Sequence, residues 1–160
     1  MKKVSITLKE QIQKKDAPNI ENEQLIHRNQ VSFINQLLLH QDFHEKKQLE
    51  KEIKKKISGY KSQDIKKELY NDSLFITFEE LIELLVKSKL ICHYCGLKIF
   101  VLYKNQKDSK QWTLDRIDNE KGHNNNNLVI SCLDCNIRRG RLNKDKFLLT
   151  KRMKITKCYN

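Results

Sequence analysis

"WTLDRIDNEKGHNNNNLVISCLDCNIRRG", residues 112–140, carries the pattern that decides the fold. "QWTLDRI" and "NLVIS" are short, apolar and rich in β-branched or aromatic residues, so each reads as a strand. The link between them is polar and rich in asparagine. From Cys132 the chain turns helical, and "CLDCNIRRGRL" closes a small strand, strand, helix unit. Just upstream, "LKIFVLY" at 97–103 is predicted as a further strand, joined to 112 by the polar hairpin loop "KNQKDSK".

Two cysteine pairs bracket this unit, Cys92-x-x-Cys95 and Cys132-x-x-Cys135. A Cys-x-x-Cys turn places two sulfurs on one side of an ion, and two such turns complete the tetrahedron that zinc favours. A redox dithiol would need only one pair. Four thiolates leave no open coordination position, so this zinc is expected to hold the fold and not to do chemistry. His93 is expected to be a solvent-facing turn residue, and Cys158 a free thiol near the end of the chain.

Composition makes such a brace useful. Of 160 residues, 38% are hydrophobic and 32% charged, so the core is modest and two independent cores are not expected. The formal net charge of +12 points to a polyanionic partner, because Lys and Arg that neutralise phosphates displace condensed counterions. Its distribution favours nucleic acid over an acidic protein or a membrane: from Ile137 to Lys157 nine basic residues stand against Asp145 alone. No run of 18 apolar residues and no signal-peptide core occurs, and the predicted location is intracellular, not secreted.

Residues 1–22, with the only proline, read as a flexible arm. A helical region is expected over 23–89. Ile26, Phe33, Ile34, Leu37 and Leu38, then Leu49, Ile53 and Ile57, recur at helical spacing, and "HQDFHEKKQ" between them reads as a break or as one continuous solvated face. "SGYKSQDIKKELY" suggests a turn at Gly59 and then a short helix. Thr77 and Glu80 form a capping-box pattern for a helix that should end near Ser88. The zinc-braced unit then occupies 90–150, and 151–160 form a basic tail. Trp112 and Tyr94 could stack on a base but read first as core or knuckle packing.

The order Cys-x-x-Cys, strand, Asp-x-Ile, Asn, Cys-x-x-Cys-Asn and basic helix, over about a third of the chain from Leu90 to Leu142, resembles the HNH endonucleases. More closely, "LDRIDNEKGH" with the following asparagine and cysteine pair is similar to HNH domains of phages, large DNA viruses and mobile elements, which have Asp-Arg-Ile-Asp where other members have Asp-His-Ile. The resemblance implies an α+β chain: a helical N-terminal region followed by a small zinc-braced ββα-metal domain, treble-clef-like. It also implies metal-dependent hydrolysis of DNA phosphodiester bonds, most naturally in double-stranded DNA, leaving a 5′ phosphate and a 3′ hydroxyl.

Carried over position by position, Asp115 stands at the metal-binding aspartate and Asn136, directly after Cys135, at the residue completing the catalytic metal site. Asn127 stands at the middle asparagine, which fixes the hairpin loop by backbone hydrogen bonds. A carboxylate and an amide oxygen are hard ligands that suit Mg²⁺ or Mn²⁺. The basic helix, with Arg138, Arg139, Arg141 and Lys144, is expected to grip the phosphate backbone.

Position 116 departs from the family. The usual general-base histidine is Arg116 here, and arginine stays protonated and cannot accept a proton. In one reading Arg116 clamps the phosphate and water is activated by metal or by another base, such as His123, whose bland alternative is an exposed loop residue or a phosphate contact. In a second, Asp118 shares metal binding or proton transfer, although alternation along a strand opposes it to Asp115. In a third, catalysis is lost and the chain is a noncatalytic nucleic-acid-binding or ribonucleoprotein component. A zinc-ribbon adaptor that binds protein is a weaker alternative.

Overall fold

A computed structural model describes residues 20–153; the predicted arm up to residue 19, the tail beyond 153 and Cys158 lie outside the described residues. The chain is α+β, with five α-helices and one two-stranded antiparallel sheet among the described residues. In order these are α1 (His27–Leu38), α2 (Lys46–Lys66), α3 (Phe78–Ser88), β1 (Trp112–Arg116), β2 (Leu128–Cys132), α4 (Leu133–Arg139) and α5 (Lys144–Arg152).

One hydrophobic cluster serves both halves. Ile34 and Leu37 of α1, Leu49 and Ile53 of α2, and Leu81, Ile82 and Leu85 of α3 pack with Leu90, Ile99, Trp112, Leu114 and Ile130. Shared packing of this kind suits a chain with little apolar residue to spare. Among the described residues no helix is long and apolar enough to cross a membrane.

The segment "HQDFHEKKQ" is a break, made at His40, which takes a left-handed φ of 54°. Gly59, by contrast, makes no turn: α2 runs unbroken from Lys46 to Lys66. A helical glycine costs about 1 kcal/mol relative to alanine. The inward stripe offsets that cost, because Leu49, Ile53, Tyr60 and Asp64 recur at helical intervals and all meet the rest of the protein. The α3 start is capped as predicted, with Glu80 N–H donating to Thr77 Oγ1 and Thr77 N–H donating to Glu80. Its end at Ser88 is followed by Lys89 in the left-handed region.

The predicted strand at 97–103 is absent. Its backbone makes isolated bridges only, Ile91 with Lys98 and Phe100 with Gln111, and then hands its groups to a side chain. Gln30, buried on α1, accepts from the N–H groups of Val101 (2.7 Å) and Leu102 (3.1 Å) and donates to the Leu102 carbonyl (2.9 Å). A buried amide that matches three backbone groups removes the need for a neighbouring strand.

β1 and β2 form the sheet, with Trp112 opposite Cys132 and Arg116 opposite Leu128. Helix α4 follows β2 without a gap, so the strand, strand, helix order holds from 112 to 139.

Candidate metal centre and catalytic cleft

The knuckle turn explains how the first two thiols meet. Gly96 takes φ 70° and donates its N–H to the Cys92 carbonyl (3.0 Å), while Cys92 N–H donates to Leu97. A side chain at Gly96 would strain this left-handed position. The second pair sits where β2 becomes α4, with Cys132 as the residue capping the helix.

The four sulfurs of Cys92, Cys95, Cys132 and Cys135 all lie within 4.8 Å of one another. A tetrahedron with zinc–sulfur bonds of about 2.3 Å has edges of about 3.8 Å, and Cys95 Sγ lies 3.9 Å from Cys132 Sγ. Backbone N–H groups already face the sulfurs: Cys132 N–H donates to Cys92 Sγ (3.3 Å) and Cys135 N–H to Cys132 Sγ (3.4 Å). The donor set therefore fits a metal ion such as zinc. The hydrogen bond shared by Cys92 and Cys132 holds the first thiol down and the second up, and burial raises the Cys135 thiol. His93 is half-buried and not solvent-facing as expected. Its Nε2 is enclosed without a partner, and its ring meets Tyr94 edge to face at 5.1 Å.

A second, polar cleft of about 200 Å³ opens beside the hairpin, lined among others by Asp115, Arg116, His123 and Asn136. Four of the five candidate catalytic residues thus share one cavity. Asn127, the fifth, is buried behind it and holds the loop: its side chain accepts from Asp118 N–H (2.9 Å) and donates to the carbonyls of Asp118 (2.9 Å) and Gly122 (3.1 Å). Asn136 donates through Nδ2 to the Leu114 carbonyl (3.2 Å), which leaves its amide oxygen without a partner among the described residues. Arg116 is half-buried and donates through Nη1 to the carbonyls of Asn119 (3.3 Å) and Lys121 (3.1 Å).

Asp115 is only 4% exposed. One oxygen accepts from Tyr94 Oη and the other from Arg139 Nη1 at 2.6 Å. Burial pushes its carboxyl up from the ordinary value, against the downward pull of Tyr94 and Arg139. Asp118 lies past the end of β1, binds Glu120 N–H through its carboxylate (3.0 Å) and takes no part in the cleft lining.

Arg139 corrects an expectation. It is not a surface phosphate contact but a buried residue, 1% exposed, whose guanidinium also donates to the carbonyls of Arg116 (2.6 Å) and Ile117 (3.0 Å). On α4 it follows Cys135 by one helical turn and so shares the inward face. Arg138 and Arg141 are exposed, Arg138 pairing with Asp134 at 2.8 Å, and Lys144 is half-buried. Trp112 and Tyr94 are both fully buried, so neither stacks on a base.

Residues outside the motif complete the cleft. Tyr60, Gln63 and Lys67, from α2 and the turn after it, line it as well. Tyr60 Oη accepts from Leu114 N–H (3.0 Å), and its ring lies 4.6 Å from that of His123. Asp64, buried on the same helix, accepts from both the backbone N–H (2.6 Å) and Nδ1 (2.8 Å) of His123. His123 is therefore not an exposed loop histidine. The inward stripe of α2 was the one signal in the sequence for these residues.

Comparison with family models, curated proteins and solved structures finds no match to this chain.

Proposed function

We propose that this protein is a metal-dependent endonuclease of the HNH type that hydrolyses phosphodiester bonds in double-stranded DNA. The observation that carries the reading is the meeting of Asp115, Arg116 and Asn136 in one polar cleft, beside a strand, strand, helix unit that the four-cysteine cluster braces. Asp115 and Arg116 end β1 while Asn136 lies on α4, so it is the fold that brings them to one cleft.

The donors fit a hard divalent ion such as Mg²⁺ or Mn²⁺. Asn136 retains a free amide oxygen, and each Asp115 oxygen accepts one hydrogen bond, leaving lone pairs on both. When bound, such an ion would polarise the scissile phosphate and stabilise the departing 3′ oxygen. The protein's own groups divide the remaining work. Arg116, always charged, clamps a phosphate oxygen; Asn127 fixes the loop that carries it; Lys67 adds a second cation to the cleft. Arg138, Arg141 and Lys144 hold the duplex by its backbone, which gives affinity without sequence readout.

One observation favours a second reading, a noncatalytic nucleic-acid-binding or ribonucleoprotein module. Both Asp115 oxygens are already engaged, one by a buried cation, which lowers the affinity of the site for a further positive ion. Nicking of supercoiled plasmid in Mg²⁺ or Mn²⁺ separates the two. The endonuclease nicks, and Asn136→Ala, which removes a partly buried amide and no buried charge, abolishes nicking while the fold persists. A protein that binds the plasmid but leaves it intact in both metals is the binding module.

A further inference from the structure

Arg116 leaves the proposed hydrolysis without a proton acceptor at the family's usual position, yet the cleft contains one imidazole held as bases are held. We propose that His123 is the general base and that Asp64, from helix α2, is its positioning residue; this rests on the endonuclease reading above. The base has thus moved from the end of β1 to the hairpin loop, and the helical region supplies its partner.

The geometry runs from Asp64 outward. Its side chain is fully enclosed, and both oxygens are spent on His123, one on the backbone N–H and one on Nδ1. With Nδ1 donating to a carboxylate, the neutral ring carries its proton there and leaves Nε2 as the lone-pair nitrogen. Nε2 has no partner among the described residues and is not among the fully enclosed unpartnered atoms, so it keeps access to solvent in a residue that lines the cleft. The fit also depends on Gly122: a Cβ there would stand 2.8 Å from Asp64 Oδ2 and 2.6 Å from the Leu69 carbonyl. The loop is shaped to admit the carboxylate.

Four charged or titratable groups face the ring. Asp64 and Tyr60 come from α2, Lys67 from the turn after it and Arg116 from β1. Desolvation, with Arg116 and Lys67, holds the imidazole below its ordinary value, and Asp64 acts against them. The ring is therefore neutral, and able to accept a proton, at physiological pH. Arg116 lines the same cleft, so a phosphate that it clamps would come to lie beside the ring. As the water oxygen bonds to phosphorus, Nε2 takes a proton from that water, the bond from phosphorus to the 3′ oxygen breaks, and the leaving oxygen takes a proton from solvent. His123 then returns its proton to solvent.

The test uses the full chain with Mn²⁺ on supercoiled plasmid. The wild type should nick with a rate that rises through one ionisation below about pH 6.5 and then levels. His123→Ala should lose on the order of 10²-fold or more in kcat, lose that acid limb and recover partly with added imidazole. Asp64→Asn, nearly isosteric, should slow nicking at least about tenfold and move the limb to lower pH, because the group that raises the imidazole is gone. Nitrogen-15 NMR should find the neutral His123 ring protonated at Nδ1 in the wild type and at both tautomeric positions in Asp64→Asn. Unchanged rates and pH profiles in both variants, or a wild-type ring protonated at Nε2, would overturn the assignment while leaving the nuclease standing. A wild type that does not nick removes the nuclease and this base together.

Discussion

Arg139 Nη1 stands 2.6 Å from Asp115 Oδ1, and both side chains are at least 95% enclosed. An ion pair so placed is a stability commitment, since either charge alone would be buried without compensation. Arg139→Met should cost about 3–5 kcal/mol in urea unfolding. Its pH dependence has a definite sign. Without the guanidinium the Asp115 carboxyl rises further above its ordinary 3.8, so the folded state keeps a proton that the unfolded chain has released. Stability of the variant therefore falls as pH rises above about 4, and its deficit relative to wild type is smallest in acid. An equal deficit at pH 4 and pH 8 would show that Asp115 and Arg139 do not act as a pair.

Arg138 and Arg141 should behave in the opposite way. Both are exposed, and Arg138 is tied only to Asp134 on its own helix. Replacing either with alanine should leave stability within about 0.5 kcal/mol. Each should weaken DNA binding across sequences and reduce the slope of log affinity against log salt by about 1. A slope that does not change would remove that residue from the phosphate contacts.

For the four-thiolate cluster the only tryptophan is a built-in reporter. Trp112 is buried and pairs in the sheet with Cys132. Purified protein should carry about one zinc per chain. A strong chelator, or Cys95→Ser, should shift Trp112 emission to the red as the hairpin loosens, because metal affinity and folding are one free energy in a site like this. Metal content below about half an ion per chain, or emission unmoved by the chelator, would sink the zinc assignment.

Lys56 predicts an alkaline effect. Its ammonium reaches the Trp112 carbonyl and sits over the rings of Trp112 (4.7 Å) and Tyr103 (5.2 Å). The rings favour the charged form, but burial is the larger influence and lowers the ammonium from 10.5 to about 7. Between those values the unfolded chain holds a proton that the folded one does not, so this group makes stability rise with pH from about 7 to 10.5. Lys56→Met should flatten that part of the stability profile. Parallel profiles for the two proteins would mean that Lys56 stays charged in the fold.

Much of this architecture was readable from residue order, and what was not has physical causes. Paired cysteine spacing, the capping box at Thr77 and Glu80, and the two β-prone runs around the asparagines are local signals, complete within a few residues. The segment 97–103 was misleading because its apolar, β-branched composition reports burial as well as pairing; Gln30, distant in sequence, decides between them. Gly59 was misleading in the same way, since a turn former loses to a packed stripe on either side. Arg139 was misjudged because a basic run was treated as one surface. Its distance of one helical turn from Cys135 was the discriminating clue.

Helix α2 turns these separate findings into a statement about modularity. At 21 residues it is a rod of about 30 Å, with Leu49 and Ile53 seated in the shared core and Asp64 against the hairpin loop. A fragment cut to 90–150 keeps all four cysteines and every motif residue, yet gives up Tyr60, Asp64 and Lys67. The smallest autonomous unit is therefore larger than its signature. Grafting the signature alone onto another scaffold would transfer a metal knuckle without the wall that shapes its cleft.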